Sequence, residues 1–380
     1  MPYFDHAATT EPWPELIQHW QTHIHNAWPN PASAHQSGQR QARRRDDALR
    51  RLAVSLDCDP RELVATSSAT EATNQVFFSV SEKRHRQGRR ILVGQGDHDA
   101  TLQPARWLAG RGFEVVELPL TPEGAVDLAS LRQELSDDVI LLSTIYVNNE
   151  TGAISDLESI RTILAARAPN CLWHVDAVQA WTKTATRLSL SRLGADYVSL
   201  SGHKIHGPRG SGLLYARDGA PLLPLIMGGG QQQGRRSGTE DPLTLELLAM
   251  AAEISIEKQS QAYIHTRSLR RRLLAAISEL EVVEHGQGEE GLPSILSFSL
   301  PSARGETMAT ALSHEGFEIS TGSACGSSRR RKNHVLAAMG LRGNLVDNAL
   351  RVSFDCTNTE AEVDALALAI GSCYERVRYR

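Results

Sequence analysis

The chain has 380 residues, and its 41% hydrophobic and 22% charged residues are typical of a folded globular protein. This length suits one large domain with a smaller one beside it. No apolar run approaches the ~20 residues that cross a membrane, and the start, MPYFDHAATTEPWPEL, lacks the basic and apolar regions of a signal peptide. The net charge of −4 gives no general reason to expect nucleic acid as a partner.

The cysteines favour a reducing compartment. There are five, an odd number, at wide spacings and without a CxxC pair, which disfavours a zinc ribbon or a redox dithiol. We therefore expect free thiols in a cytoplasmic protein. Cys58, Cys171, Cys356 and Cys373 lie in stretches typical of ordinary core elements. Cys325 differs, because it lies in the small-residue run STGSACGSS and is followed by RRRK.

Short β-rich runs alternate with helical stretches between about residues 90 and 217. This alternation predicts an α/β fold whose mainly parallel sheet is covered on both faces. The run VILLSTIYV is apolar throughout, as expected of a strand buried on both sides. The predicted strands are RILVGQ, FEVVELPL, DVILLSTIYV, LWHVDA, YVSLSG and GSGLLYAR.

The C-terminal third has a different pattern. Residues 243–282 predict one long helical region, PSILSFSLP and ALRVSFDCT predict strands, and TEAEVDALALAIGSCYERV predicts a final helix. We expect a large domain over residues 12–254. Residues 1–11 and 255–380 are expected to form a smaller α+β domain that carries the loop at about 320–333.

The segment SLSGHKIHGPRGSG, residues 199–212, carries Lys204 directly after a predicted strand. Ligands of α/β proteins bind at the carboxyl ends of parallel strands. A deprotonated lysine there can form a Schiff base with a carbonyl compound. The alternative is an ordinary surface lysine.

Asp176 ends the apolar strand of WHVDAVQA. A buried carboxylate needs a positive or hydrogen-bonding partner. The protonated pyridine nitrogen of pyridoxal phosphate (PLP) is one such partner. A capping aspartate for a following helix is the alternative.

The stretch TSSATEATN, residues 66–74, places small hydroxyl residues before a predicted helix. Free backbone N–H groups at a helix start suit a phosphate, and Thr70 adds a hydroxyl. A capping box between Ser68 and Glu71 is an equally natural interpretation, and the two are compatible.

Other kinds of site find little support in the sequence. There is no GxxxxGK[ST] and no GxSxG, and GGGQQQG does not match GxGxxG. His174, Asp176, His203 and His206 could be considered metal ligands, but their spacings are unspecific. We therefore predict no metal site.

In combination, the motifs resemble a known family, the cysteine desulfurases. The resemblance covers nearly the whole chain and implies the aspartate-aminotransferase-like fold, PLP fold type I, with a sheet of seven strands. Ser68 departs from it, because the family usually has glycine there. The motifs that carry it are, in order, DHAATT, NPASAH, TSSATEATN, GDHDAT, VNNETG, HVDAVQ, SGHKIHGPRG, RRSGTED, STGSACGSS and LRVSF.

The resemblance implies PLP as the cofactor and assigns its binding residues. Lys204 would hold PLP covalently, and Asp176 would pair with the pyridine nitrogen. Gln179 would hydrogen-bond the phenolic oxygen, while His98 would stack on the ring and act in proton transfer. The residues implied for the phosphate are Ala69, Thr70, Ser201, His203 and, from the partner subunit of a homodimer, Thr239.

The resemblance also implies the reaction. Asn149 and Arg351 would hold the carboxylate of L-cysteine, and Cys325 would take its sulfur as a persulfide, leaving L-alanine. The persulfide would then meet an acceptor protein, for which the glycines of STGSACGSS supply a mobile tether. The adjacent RRRK could lower the pKa of Cys325, dock an acidic acceptor, or form a solvated loop.

Several alternatives stay open. A selenocysteine lyase or a cysteine sulfinate desulfinase is related chemistry, whereas a transaminase would not need Cys325. A catalytically inactive scaffold that binds sulfur-transfer partners is a non-enzyme alternative. Nucleic-acid binding through RRRK and KRHRQGRR lacks an aromatic platform. The sequence does not select among iron–sulfur clusters, tRNA thiolation and DNA modification as the destination of the sulfur.

Overall fold

The computed structural model describes residues 1–321 and 333–378. The helices are α1 (Pro14–His23), α2 (Gln36–Leu56), α3 (Ala69–Arg84), α4 (Asp99–Ala109), α5 (Leu128–Glu134), α6 (Leu157–Arg167), α7 (Leu190–Leu193), α8 (Pro242–Ala276), α9 (Gly305–His314), α10 (His334–Ala338), α11 (Asn344–Asp347) and α12 (Glu360–Val377). The strands are β1 (Leu63–Thr66), β2 (Arg90–Gly94), β3 (Glu114–Leu118), β4 (Val139–Ile145), β5 (Leu172–Asp176), β6 (Tyr197–Ser201), β7 (Gly212–Ala216), β8 (Val283–His285), β9 (Ile295–Ser299) and β10 (Ala349–Ser353).

Seven strands form the large sheet, in the order β1-β7-β6-β5-β4-β2-β3. All neighbouring pairs from β6 to β3 are parallel, and only β7 runs antiparallel to its two neighbours. This confirms the mainly parallel sheet and the mixed α/β fold. All six strands predicted between residues 90 and 217 are present, while the short β1 was not predicted.

Helices cover both faces of the large sheet, and alternate residues of its strands point to opposite layers. On one face, Leu92 of β2 belongs to the same apolar cluster as Leu52 of α2 and Ile160 of α6. On the other face, Ile91 clusters with Val76 of α3. Every residue of β4 is buried, which agrees with its continuous apolar character.

A smaller antiparallel sheet, in the order β10-β9-β8, packs with α9 and α12 around a second apolar cluster. The long helix α8 contributes to both clusters, with Leu248 in the first and Leu273 in the second. The N-terminal Phe4 also lies in the second cluster. The division into domains at residues 12 and 255 stays a prediction.

The basic run LRRRLL of α8 has the sequence of a solvated face, but it is not wholly solvated. Arg270 is only 2% exposed, donates to the carbonyl oxygen of Ile295 over 2.6 Å and pairs with Glu284. Within residues 1–321 and 333–378, no helix is both long and apolar enough to span a bilayer.

The cysteines within the described residues are unpaired thiols. Cys171 and Cys373 are buried in the apolar clusters, as expected. Cys58 and Cys356 are partly buried and pack against the first cluster. Cys325 lies outside the described residues.

Gly212 at the start of β7 allows this strand to approach the turn that precedes α3. A Cβ atom at Gly212 would lie 2.7 Å from the carbonyl carbon of Ser68 and 2.9 Å from the carbonyl oxygen of Leu200, both backbone atoms. Gly212→Ala should therefore lower the free energy of unfolding by about 1–3 kcal/mol. Gly371 of α12 is the control, because a Cβ there meets nothing within 4 Å. Gly371→Ala should be neutral or stabilise by up to about 1 kcal/mol. Equal urea midpoints for the two variants would contradict this packing.

Candidate active site

The parallel strands β1, β2, β4, β5 and β6 all end at one edge of the large sheet. A cavity of about 260 Å³ lies at this edge. Most of the residues predicted for the site line this cavity, although they come from widely separated motifs. Those that line it are Ala69, Thr70, His98, Asn149, Asp176, Gln179, Ser201, His203, Lys204 and Arg351.

Two predicted residues are not part of this group. Thr239 is exposed and is not among the described residues that line the cavity. Cys325 falls within residues 322–332, outside the described part of the chain. The roles of both stay predictions.

Lys204 lies in a short 3₁₀ turn, Gly202–Lys204, directly after β6. Its Nζ atom donates hydrogen bonds to the carbonyl oxygens of Ala7 (2.7 Å) and Ala8 (2.6 Å). The N-terminal segment therefore forms one wall of the cavity beside the lysine. DHAATT was noted as a motif in the sequence, but no role was predicted for the backbone carbonyls of Ala7 and Ala8.

Asp176 ends β5 and is 6% exposed. One carboxylate oxygen accepts from the backbone N–H of Val178 over 3.0 Å, and within the described residues the other oxygen has no hydrogen-bond partner. Burial raises the pKa of Asp176, although the Val178 hydrogen bond and the charges of His98 and Lys204 oppose the shift. The helix-capping alternative is wrong, because a turn rather than a helix follows Asp176.

His98 has a defined tautomer because it caps α4. Its Nδ1 atom accepts the backbone N–H of Ala100 over 3.0 Å, so in the neutral ring the proton lies on Nε2. Burial lowers the pKa of His98, which favours this neutral form. The ring can therefore present an N–H donor at the cavity.

The first turn of α3 also lines the cavity. Ser68 caps this helix, since its hydroxyl accepts the backbone N–H of Glu71 over 3.1 Å. The Glu71 carboxylate instead accepts from the backbone of Ser67 and pairs with Arg236 at 2.9 Å. The predicted capping box is therefore only half formed, because the ion pair draws Glu71 away from Ser68.

Arg351 of β10 is 4% exposed and lies between two carboxylates. It pairs with Asp5 at 2.8 Å and with Glu150 at 3.3 Å, and it donates to the carbonyl oxygen of Asn149. The buried guanidinium is thus compensated, as such a charge must be. Sequence reasoning missed both acidic partners, although they lie within the motifs DHAATT and VNNETG.

Glu150 connects Arg351 and Asn149 to the residue that follows the 322–332 segment. It accepts from the side chain of Asn149 over 2.7 Å and from that of Asn333 over 3.2 Å. Asn333 also caps α10 by accepting the backbone N–H of Val335. No motif marked Asn333, because it follows the basic run RRRK and resembles a loop residue.

The histidines considered as metal ligands have other partners. His174 lies between the hydroxyls of Ser143 (2.7 Å) and Ser199 (2.8 Å), and burial lowers its pKa to about 3. His206 pairs with Asp355 at 3.0 Å. The described residues contain no group of three or more side chains arranged to hold a metal ion.

Comparison with known proteins defines the family. The model of the class-V aminotransferases matches residues 2–366. The chain is 31% identical to cysteine desulfurase IscS 1 of Archaeoglobus fulgidus, over 100% of this chain and 98% of that protein. It is 36% identical to cysteine desulfurase IscS of Edwardsiella ictaluri, over 95% and 90% of the two chains. This chain belongs to the cysteine desulfurases of the class-V aminotransferase family.

A solved structure extends the likeness to the fold. A NifS-like protein superimposes with a TM-score of 0.93 at 35% identity, covering 99% of this chain and 100% of that one. PLP is the cofactor of this family, and the chain is accordingly a PLP-dependent cysteine desulfurase.

The residues present fit PLP. The oxygen of Asp176 without a described partner suits a protonated pyridine nitrogen. The first turn of α3 suits a phosphate, because its N–H groups have no acceptor within the helix. Lys204 lines the same cavity and offers the amine.

Replacement of Glu150 tests the buried charge arrangement. Glu150→Ala should lower the free energy of unfolding by about 3 kcal/mol, because Arg351 and Asn333 lose an acceptor inside the protein. Glu150→Gln should cost less. Burial raises the pKa of Glu150, so its charged form is already penalised, and the amide keeps one acceptor oxygen. Urea unfolding at neutral pH measures both. An equal loss of unfolding free energy in Glu150→Ala and Glu150→Gln would contradict the role assigned to the acceptor oxygens.

Proposed function

We propose that this chain converts L-cysteine to L-alanine and transfers the sulfur to Cys325 as a persulfide, from which an acceptor protein collects it. The observation that carries the proposal is a single cavity lined by Lys204, Asp176, His98 and Arg351. These side chains supply an amine, a buried carboxylate, a neutral imidazole and a guanidinium. The family membership supports the same reaction.

Three side chains would bind the pyridine ring of PLP and its substituents, and a further group would bind the phosphate. Lys204 would bind it covalently, Asp176 would pair with the pyridine nitrogen, and Gln179 would donate to the phenolic oxygen. Bound PLP supplies an electron sink that stabilises negative charge on the substrate Cα atom. The residues that would bind its phosphate are Ala69, Thr70, Ser201 and His203.

Lys204 would remove the Cα proton of the substrate. The carbonyl oxygens of Ala7 and Ala8, 2.7 Å and 2.6 Å from Nζ, hold this atom at the cavity wall. His98, with its proton on Nε2, would provide a second group for proton transfer. Its Nδ1 cannot serve, because that atom accepts the Ala100 N–H.

Arg351 and Asn149 would bind the substrate carboxylate. A guanidinium offers two parallel donors to a carboxylate. Arg351 already lies beside Asp5 and Glu150, so its charge and orientation are fixed before substrate arrives. Asn149 is oriented by its hydrogen bond to Glu150.

Cys325 would then attack the sulfur atom of the substrate as a thiolate. A sulfur–sulfur bond forms and the carbon–sulfur bond breaks, and its electron pair passes to the substrate carbon. That carbon is protonated and leaves as L-alanine. The position of Cys325 in a glycine- and serine-rich run suits a thiol that must work in the cavity and then at an acceptor.

We also propose that the chain acts as a homodimer in which Thr239 contacts the phosphate bound by the partner subunit. Thr239 is exposed, whereas the other phosphate-binding candidates line the cavity of their own subunit. An exposed hydroxyl at the surface is available to a second copy of the chain.

Cys325→Ser tests the sulfur-transfer step. The variant should lose alanine and sulfide release from L-cysteine by at least about a hundredfold, because serine cannot accept sulfur. It should keep the visible absorption of bound PLP. Lys204→Ala is the matched comparison and should lose both the activity and the covalently held cofactor. Normal alanine release by Cys325→Ser would contradict the role of this thiol.

Mixed dimers test the contribution of Thr239. Co-expressed Lys204→Ala and Thr239→Val chains should form heterodimers with one intact site, in which Lys204 and Thr239 come from different subunits. A random mixture should recover about a quarter of the wild-type activity. Activity no higher than the mean of the two parent variants would place Thr239 and Lys204 of one chain at the same site.

A further inference from the structure

The side-chain amide of Gln179 has two hydrogen-bond partners, an acceptor for its nitrogen and a donor for its oxygen. Gln179 is 2% exposed and lines the cavity. Its Nε2 atom donates to the carbonyl oxygen of Ala7 over 2.8 Å, and its Oε1 atom accepts from Nζ of Lys183 over 3.1 Å. No motif marked Lys183, and this residue has no part in the proposed reaction.

These partners fix which end of the amide is nitrogen. A backbone carbonyl can only accept a hydrogen bond, and an ammonium group can only donate one. Rotating the amide by half a turn would place oxygen against the Ala7 carbonyl and NH₂ against the Lys183 ammonium. Both contacts would then be lost inside the protein, where unpaired polar groups are costly.

The same carbonyl also orients Lys204. The oxygen of Ala7 accepts from Gln179 Nε2 over 2.8 Å and from Lys204 Nζ over 2.7 Å. Ala7 is itself held by its N–H, which donates to the Ser353 hydroxyl over 2.9 Å. The nitrogen of Gln179 and the amine of Lys204 are therefore brought together at one backbone oxygen.

We propose that Lys183 is a positioning residue that, together with the Ala7 carbonyl, directs the second Nε2 hydrogen of Gln179 to the phenolic oxygen of bound PLP. The inference rests on the proposed function, in which Gln179 donates to that oxygen. An amide turned the other way would present its oxygen to the electron-rich phenolic oxygen. Lys183 thus affects the cofactor without touching it.

The surroundings of Lys183 agree with this role. It lines a second cavity with Lys204, His206, Lys258 and Asp355, and burial and the charge of Lys204 lower the pKa of Lys183 to about 7. A neutral amine still has N–H groups to donate. The Ala7 carbonyl and an N–H group of Lys183 can therefore hold the Gln179 amide together in either protonation state.

The test follows the visible absorption of PLP bound to the holoenzyme as a function of pH. A hydrogen bond to the phenolic oxygen changes the pH at which the absorption band shifts. Gln179→Leu, which lacks the donor, defines the direction of that change. Lys183→Met should move the midpoint of this absorption titration in the same direction by about 0.5 to 1 pH unit. This shift is equivalent to the loss of one hydrogen bond. Lys183→Arg, which can only donate, should restore a midpoint close to that of the wild type.

Two further variants separate an effect through Gln179 from a general charge effect. Lys258→Met removes a lysine from the same cavity and should leave the midpoint unchanged. Lys183→Met combined with Gln179→Leu should give the Gln179→Leu midpoint, because Lys183 acts only through that amide. A full additional shift in the double variant, or an unchanged midpoint in Lys183→Met, would overturn the inference.

Failure of the inference and failure of the proposed function give different results. A wild-type protein that carries PLP and releases alanine, but whose absorption titration does not respond to Lys183→Met, overturns the inference alone. A wild-type protein without a PLP band or alanine release contradicts the proposed function, and the inference falls with it. Thermal unfolding of each variant without PLP confirms that the compared proteins are folded.

Discussion

The parallel alignment of five strands is the constraint on which the site depends. Because β1, β2, β4, β5 and β6 point the same way, the residues after them meet at one edge of the sheet. The edge receives a helix N-terminus after β1, an imidazole after β2, a carboxylate at the end of β5 and an amine after β6. One ligand with a phosphate, a basic ring nitrogen and a carbonyl group suits that set.

The N-terminal segment completes what the sheet alone does not provide. Asp5 pairs with Arg351, and the carbonyl oxygens of Ala7 and Ala8 accept from Lys204. The Ala7 N–H donates to Ser353, in the last position of β10. This segment therefore joins the small sheet to Lys204, and it compensates a buried guanidinium that the small sheet contributes to the cavity.

Elements and site residues that are marked by their neighbouring sequence could be predicted. Contacts between residues far apart in the sequence could not. The alternation of apolar runs and helices predicted β2 to β7, whereas the four-residue β1 offered too little pattern. Asp176 and Lys204 could be singled out because Asp176 ends an apolar strand and Lys204 follows one. Arg351 and Glu150 lie 201 positions apart, and nothing local indicates that they pair.

The same distinction explains where the expectations were wrong. Glu71 had the spacing of a capping box, but an ion pair with Arg236, which lies 165 positions away, takes its carboxylate. Arg270 had the appearance of a solvated residue, but the carbonyl of Ile295 and the carboxylate of Glu284 bind it inside the protein. In both cases a long-range charge interaction overrode the local signal.

The most direct test of the central claim is mass spectrometry of the peptide that contains Cys325, after a single turnover of the PLP-loaded protein with L-cysteine and without a reductant. The account predicts that Cys325 gains one sulfur atom while one equivalent of L-alanine is released. Alanine release with an unmodified Cys325, or sulfur found only on another cysteine, would contradict it.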